Sequence, residues 1–214
     1  QEDHYAFRRT VVDDMVAAEV KAVRERVGIM DVTAFTKVLV EGPDAHALLD
    51  RLTANRMPQK VGEITLTHML NRRGRIELET TIVRMAEDRF YLVCAAFFEQ
   101  RLLDHLRDAR IFGENSTTVP PVSDSWGALA LNGPRSREVL GACTDARLDN
   151  AAFRWLSAQQ ITVAGHSVWA FRMSYAGELG WELHMPFDAM ADVYAALWQA
   201  GEAYGIADYG SFAM

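Results

Sequence analysis

Val16, Val20, Val23 and Val27 recur at three- and four-residue spacing between charged residues, a single apolar stripe that predicts a helix after a polar lead-in from Gln1 and a stop at Gly28. Ile29 to Thr36 reads as a turn or short strand, and Lys37 to Glu41 as a strand ended by Gly42-Pro43. Asp44 to Ala54 returns to helical spacing, with Ala45, Leu48, Leu49 and Leu52 on the buried side and Pro43 suited to the first turn. Three β-rich runs follow in close succession, Ile64 to Leu70, Ile76 to Met85 and Arg89 to Ala95, punctuated by Asn71-Arg72-Arg73-Gly74 and Ala86-Glu87-Asp88. That spacing predicts an antiparallel meander. Phe98, Leu102, Leu103 and Leu106 then stripe a helix over Phe97 to Ala109, and the Gly/Asn/Ser/Thr/Pro stretch Ile111 to Ser125 is the best internal boundary.

The second half restarts with a strand, Gly127 to Asn132, again closed by Gly-Pro at Gly133-Pro134, and a short helix, Arg135 to Ala142. Phe153 to Leu156 is an aromatic anchor. Strands are predicted over Gln159 to Val163, Val168 to Tyr175 and Gly180 to Met185, and a closing helix over Asp188 to Tyr204. Side by side, GPDAHALLDRLT from Gly42 and GPRSREVLGACT from Gly133 share the Gly-Pro, an apolar pair and the closing Thr. The element order around them also repeats, which predicts an internally duplicated α+β protein of two strand–helix–strands–helix units with antiparallel or mixed sheets. The expected division is a lead-in and helix over 1–28, a first half over 29–110, a connecting loop over 111–126 and a second half over 127–214. The seam of such a pair is a natural place for a cleft. Gly205 to Met214 shows no capping logic and leaves Tyr209 and Phe212 without a visible partner, so the chain reads as a fragment.

One stretch stands out for chemistry: RMSYAGELGWELHMP, Arg172 to Pro186. Strand alternation puts Trp181, Leu183 and Met185 on one face and Glu182 and His184 on the other. With the first set in a core, Glu182 faces a cleft or water. A half-exposed hairpin with a solvated Glu182 is the plainer account of the same residues.

Composition narrows the classes. The 214 residues are 50% hydrophobic and 24% charged, an ordinary globular profile, and the net charge of -7 disfavours nucleic acid and anionic membrane as partners. Cys94 and Cys143 lie far apart with no C-x-x-C, so neither a disulfide framework nor a zinc site is indicated, and a reducing, cytoplasmic compartment fits best. No run reaches membrane-span length. The histidines, from His4 to His184, show no metal spacing beyond the weak pair of Glu182 and His184 on one strand face. No dinucleotide turn, P-loop or nucleophile elbow is present.

Three segments together, MLNRRGRIELETTIVRMAEDRFYLV (Met69 to Val93), LALNGPRSREVL (Leu129 to Leu140) and the Arg172 to Pro186 stretch, carry a resemblance. They resemble the folate-binding domain of the aminomethyltransferase family, which includes the glycine cleavage T-protein. The form is closest to the folate-binding part of dimethylglycine and sarcosine dehydrogenases. The resemblance implies a duplicated folate-binding fold, tetrahydrofolate as ligand, and an N-methylated amine or aminomethyl donor of the one-carbon unit. It also implies a flavin (FAD) domain ahead of these residues in a parent protein, with no flavin site within them. By position, Tyr175 and Glu182 match the residues that contact the pteridine; an ionised carboxylate accepts the ring N–H and exocyclic NH2 together, and an aromatic ring packs the flat heterocycle.

Glu79 stands where the transferases carry Asp, beside the reacting carbon, where a carboxylate stabilises a cationic iminium and receives a proton. The extra methylene is a departure from the family, and a solvated strand Glu beside Glu77 is the alternative. Arg73, with Arg72 and Arg75, is placed to meet a folate glutamate tail or to form a solvated turn. Asn71 holds either the turn or the ligand. Two further readings stay open: a folate-binding module for regulation or assembly without chemistry, and a plain interaction domain, which a buried, salt-bridged Glu182 would favour.

Overall fold

The computed structural model describes residues 10–109 and 116–214. The polar lead-in with His4, and the opening of the Ile111 to Ser125 stretch, lie outside the described residues. The chain forms two compact units, one of 1–32, 128–155 and 160–214 and the other of 33–127 and 156–159.

The second of these units is built on a four-stranded sheet of β2 (Thr36–Glu41), β3 (Ile64–Leu70), β4 (Ile76–Ala86) and β5 (Arg89–Cys94), in the order β2-β5-β4-β3. The meander is antiparallel throughout, and β2 closes it antiparallel against β5. Val38, Val40, Leu78, Ile82, Phe90 and Leu92 face a core shared with α2 (Ala45–Leu52) and α3 (Glu99–Asp108), the latter entered through a 3-10 turn at Ala96–Phe98. Leu102 and Leu106 of the expected stripe are fully buried, whereas Phe97 is 80% exposed. Later residues line the free edge of β2: Leu39 N–H donates to Pro120 O at 3.0 Å and Glu41 pairs reciprocally with Thr118. Lys37, in a strand read only for its apolar neighbours, is fully buried, its ammonium donating to Thr33 O and Phe35 O at 2.7 and 2.8 Å. Those carbonyls replace water around the charge.

The other unit carries a six-stranded sheet in the order β10-β1-β6-β9-β8-β7. Its strands are β1 (Gly28–Asp31), β6 (Trp126–Asn132), β7 (Ala158–Val163), β8 (His166–Phe171), β9 (Gly180–Pro186) and β10 (Ala207–Asp208). Helix α1 (Val11–Glu25) contacts β1 and β10, and α4 (Ser136–Ala142) and α5 (Phe187–Gly201) pack together on β9. Trp181, Leu183 and Met185 join Val139, Leu140, Val193 and Leu197 in one core. Of the N-terminal stripe only Val23 is buried within the helix, beside Ala22; Val27 enters the core from beyond its end.

Two expectations are corrected. The strand read as Val168 to Tyr175 starts earlier, at His166, and stops at Phe171. Met173 N–H bonds back to Phe171 O at 2.9 Å, a three-residue turn that takes Arg172 to Tyr175 out of the alternating pattern. The closing segment is also better tied than its composition suggests. Ala207 and Asp208 pair in parallel with Gly28 and Ile29, and Tyr209 is buried with its hydroxyl bonded to the Asn132 amide. Parallel pairing with a strand so distant in sequence leaves no local signal. Phe212 remains 81% exposed.

The two Gly-Pro turns share a backbone geometry. Gly42 and Gly133 have φ of 126° and 125°, and Ala45 N–H and Ser136 N–H return to their carbonyls at 2.9 and 3.0 Å. A Cβ on Gly133 would lie 2.6 Å from Arg26 O and 2.8 Å from Val23 O, neither of which can move freely. Gly133→Ala is therefore expected to destabilise the protein by about 2 kcal/mol or more. Gly141→Ala, in a helix where the new methyl meets only Leu148 Cδ1 at 3.8 Å, is expected to stabilise it by about 0.5–1 kcal/mol. Urea unfolding of both variants checks the contrast, and a neutral Gly133→Ala would contradict it.

Candidate functional site

Trp181 anchors the β9 end of the site. Its ring is fully buried, edge-on to Phe153 at 6.2 Å, with the guanidinium carbons of Arg172 and Arg137 at 5.0 and 6.0 Å from its centroid. Arg172 is only 8% exposed and donates to Phe153 O at 2.8 Å and Asn150 Oδ1 at 3.3 Å. Burial first, and the Arg137 charge second, lower its pKa below the ordinary arginine value. With Trp181 pinned on the helix side, β-alternation turns Glu182 to the opposite face.

That face is polar but not open. The Glu182 side chain is 16% exposed and that of His184 1%, with His184 Nε2 3.2 Å from Glu182 Oε2. The expectation that Glu182 simply faces a cleft or water is corrected to this extent: its carboxylate is largely covered and touches a buried imidazole. Phe171 lies opposite Glu182 in the β8–β9 register and stacks on the His184 ring at 4.3 Å and 28°. Nearby, the Asn132 amide donates to the Tyr209 hydroxyl, and its Oδ1, buried against the space where a Gly180 side chain would begin, has no partner among the described residues. Burial first raises the Tyr209 pKa, and the Glu182 charge adds to it. Tyr175 stands in the bend before the turn, 51% exposed, with Gly177 at φ 72° beyond it.

The remaining candidates belong to the four-stranded unit. Glu79 sits on β4 directly opposite His68 of β3, and its carboxylate is 3.2 Å from His68 Nε2 with 52% of the side chain exposed. Asn71 organises the β3–β4 turn. Its Oδ1 accepts the Arg73 and Arg75 backbone N–H groups at 2.9 and 3.1 Å, and its Nδ2 donates to Glu77 at 2.8 Å. The amide is thereby committed to the turn, and Arg72, Arg73 and Arg75 project from it exposed. Arg51, Arg72 and His105 line a recess of about 600 Å³ beside the turn. His105 Nε2 is buried with no partner among the described residues, and burial lowers the pKa of this imidazole. The structure thus groups Tyr175 with Glu182 in one unit, and Asn71, Arg73 and Glu79 in the other.

His184, Arg172, Asn132 and Tyr209 were not singled out as site residues by sequence. His184 had a usable signal, its place two residues after Glu182 on the same strand face. Asn132 and Tyr209 had none, because 77 residues separate them.

The model of the GCVT N-terminal domain matches residues 2–214, and the chain belongs to that family. It is 35% identical over 209 residues to the mitochondrial dimethylglycine dehydrogenase of Mus musculus, covering 98% of this chain and 24% of that protein. To the mitochondrial sarcosine dehydrogenase of Homo sapiens it is 30% identical over 231 residues, covering 97% and 25%. Among solved structures, the glycine cleavage system aminomethyltransferase T from Bartonella henselae superposes with a TM-score of 0.78 at 26% identity, covering 92% of this chain and 52% of that one. The chain spans about a quarter of the length of these dehydrogenases. The α+β fold of the aminomethyltransferases and the family read from the three motifs are both shown. No helix among the described residues is long and apolar enough to cross a membrane.

Glu77 offers a test of the turn. Hydrogen bonds from Arg101 first, then from Asn71, hold its carboxyl below the ordinary glutamate range. A depressed folded-state pKa contributes stability that is present above the unfolded pKa and lost as pH falls through the folded one. The protein is therefore expected to lose more stability on acidification than Glu77→Gln does. Equal losses in urea titrations at neutral and acidic pH would contradict this.

Proposed function

We propose that the chain is the tetrahydrofolate-binding domain of a one-carbon transferase, part of a demethylating enzyme of the dimethylglycine or sarcosine dehydrogenase kind. The observation that carries the reading is Glu182: a carboxylate on the central strand β9, largely covered and, among the described residues, in contact with the His184 imidazole, in a chain of the GCVT family. Glu182 keeps 16% of its side chain exposed and its partner is a histidine, an ion pair only when protonated, which falls short of the buried salt bridge that would favour a plain interaction domain. One contact from His184 uses one of about four acceptor sites on the carboxylate, so two adjacent N–H donors of a pterin edge still find acceptors. Tyr175, half exposed across the turn, supplies the packing surface for the ring, and Arg73 with its neighbours suits an anionic tail.

When bound, tetrahydrofolate accepts a one-carbon unit from an amine-bound carbon. The donor would be an N-methylated amine, and a flavin would supply its oxidation. Glu79 would stabilise positive charge at the reacting carbon, take the proton released as the folate nitrogen bonds to it, and return that proton to the donor nitrogen as the bond between that nitrogen and the carbon breaks. Its exposed position leaves it able to exchange that proton with water. A folate-binding module without chemistry is the second reading, favoured by Glu79 standing in place of the transferases' Asp and lying against the His68 imidazole.

Glu182→Ala is expected to weaken tetrahydrofolate binding about a hundredfold, as two charged hydrogen bonds are lost, measured by tryptophan fluorescence titration. Unchanged binding by a folded variant would remove the pterin role of Glu182. Glu79→Gln is expected to leave binding nearly intact and slow methylene transfer in single turnovers. Equal loss of both would contradict a role specific to the chemistry, and unchanged transfer would favour the module without chemistry.

A further inference from the structure

We infer that His184 is the positioning residue of this site: its buried imidazole aims the Glu182 carboxylate, and so determines recognition of the amino-bearing edge of the pterin. The inference rests on the reading of Glu182 given above. Three observations carry it. Strand geometry puts residues 182 and 184 on one face of β9, about 7 Å apart along it, within reach of a Glu side chain that bends toward its neighbour. The His184 side chain is 1% exposed, and its Nε2 lies 3.2 Å from Glu182 Oε2. Phe171, fully buried and registered opposite Glu182, stacks on the imidazole at 4.3 Å and 28°, which fixes the plane of the ring and hence the direction of its N–H.

A carboxylate only accepts hydrogen bonds, so the contact requires Nε2 to carry the proton and donate. That holds for the neutral Nε2–H tautomer and for the imidazolium alike. A Glu side chain has three rotatable bonds, and ordering it upon ligand binding would consume affinity; a fixed donor on one oxygen orders it beforehand. The remaining acceptor sites then face the ligand in one orientation. Such a residue touches Glu182 rather than the ligand, and its effect is seen as discrimination between ligands that do and do not offer two adjacent donors.

The test is a double-mutant cycle on the protein with His184→Leu and Glu182→Gln, titrated with tetrahydrofolate and with an analogue whose 2-amino group is replaced by hydrogen. His184→Leu is expected to weaken tetrahydrofolate binding about tenfold while barely changing the affinity for the analogue. In the Glu182→Gln background the same change is expected to have little further effect, because the group it positions is gone. His184→Gln, which keeps an N–H donor, is expected to recover most of the discrimination. If His184→Leu does not fold, His184→Met, apolar and similar in length, takes its place in the cycle. Equal loss of both ligands, no loss of either, or losses that add in the Glu182→Gln background would overturn the positioning role. Failure of the underlying reading looks different: Glu182→Gln would then bind both ligands as the unaltered protein does.

Discussion

The six-stranded unit depends on one constraint, the complete burial of Trp181 at the start of β9. Helices α4 and α5 cover the strand on that side, Phe153 meets the indole edge-on, and two guanidiniums lie against its face. An indole buries a large apolar area and adds cation–π attraction where arginines are desolvated beside it. Once Trp181 is fixed, the two-residue period of the strand leaves no choice for its neighbours. Leu183 and Met185 follow it inward, and Glu182 and His184 emerge on the other face. The position of the carboxylate is thus a consequence of packing one residue away.

Burying polar groups on both faces of β9 has a cost that the structure offsets locally. His184 is stacked and in contact with a carboxylate, Asn132 meets Tyr209, and Arg172 finds a carbonyl and an amide oxygen. The compensation is incomplete at Asn132 Oδ1, Arg172 Nε and Trp181 Nε1, which are buried without partners among the described residues. Unsatisfied groups of this kind are uncommon in native interiors and gather where a protein trades stability for function. The β3–β4 turn shows the opposite economy, since the Asn71 amide oxygen accepts two backbone N–H groups of the turn and its nitrogen donates to Glu77.

Elements with a local cause were legible in the sequence. The meander, the paired Gly-Pro turns and the amphipathic helices rest on periodicity and on residues with restricted backbone choices, and each was found within one or two residues in most cases. The strand expected to run to Tyr175 was misjudged because apolar content persists through Arg172 and Met173 after the hydrogen bonding has changed to a tight turn. Tyr209 was misjudged because its partner lies in a strand far away in sequence. For the candidate site, Glu182 was visible from its carboxylate among apolar residues. The reason it is held in place was not, since the significance of His184 depends on burial and on a ring stacked from the neighbouring strand, neither of which a single strand's pattern contains.

The central claim is that Glu182 receives the amino-bearing edge of a tetrahydrofolate pterin. A crystal structure of the protein with tetrahydrofolate bound tests it most directly. The account predicts the ring N–H and the exocyclic amine within hydrogen-bonding distance of the two Glu182 oxygens, with the His184 contact retained. A pterin seated elsewhere, with Glu182 still bonded only to His184, would contradict it.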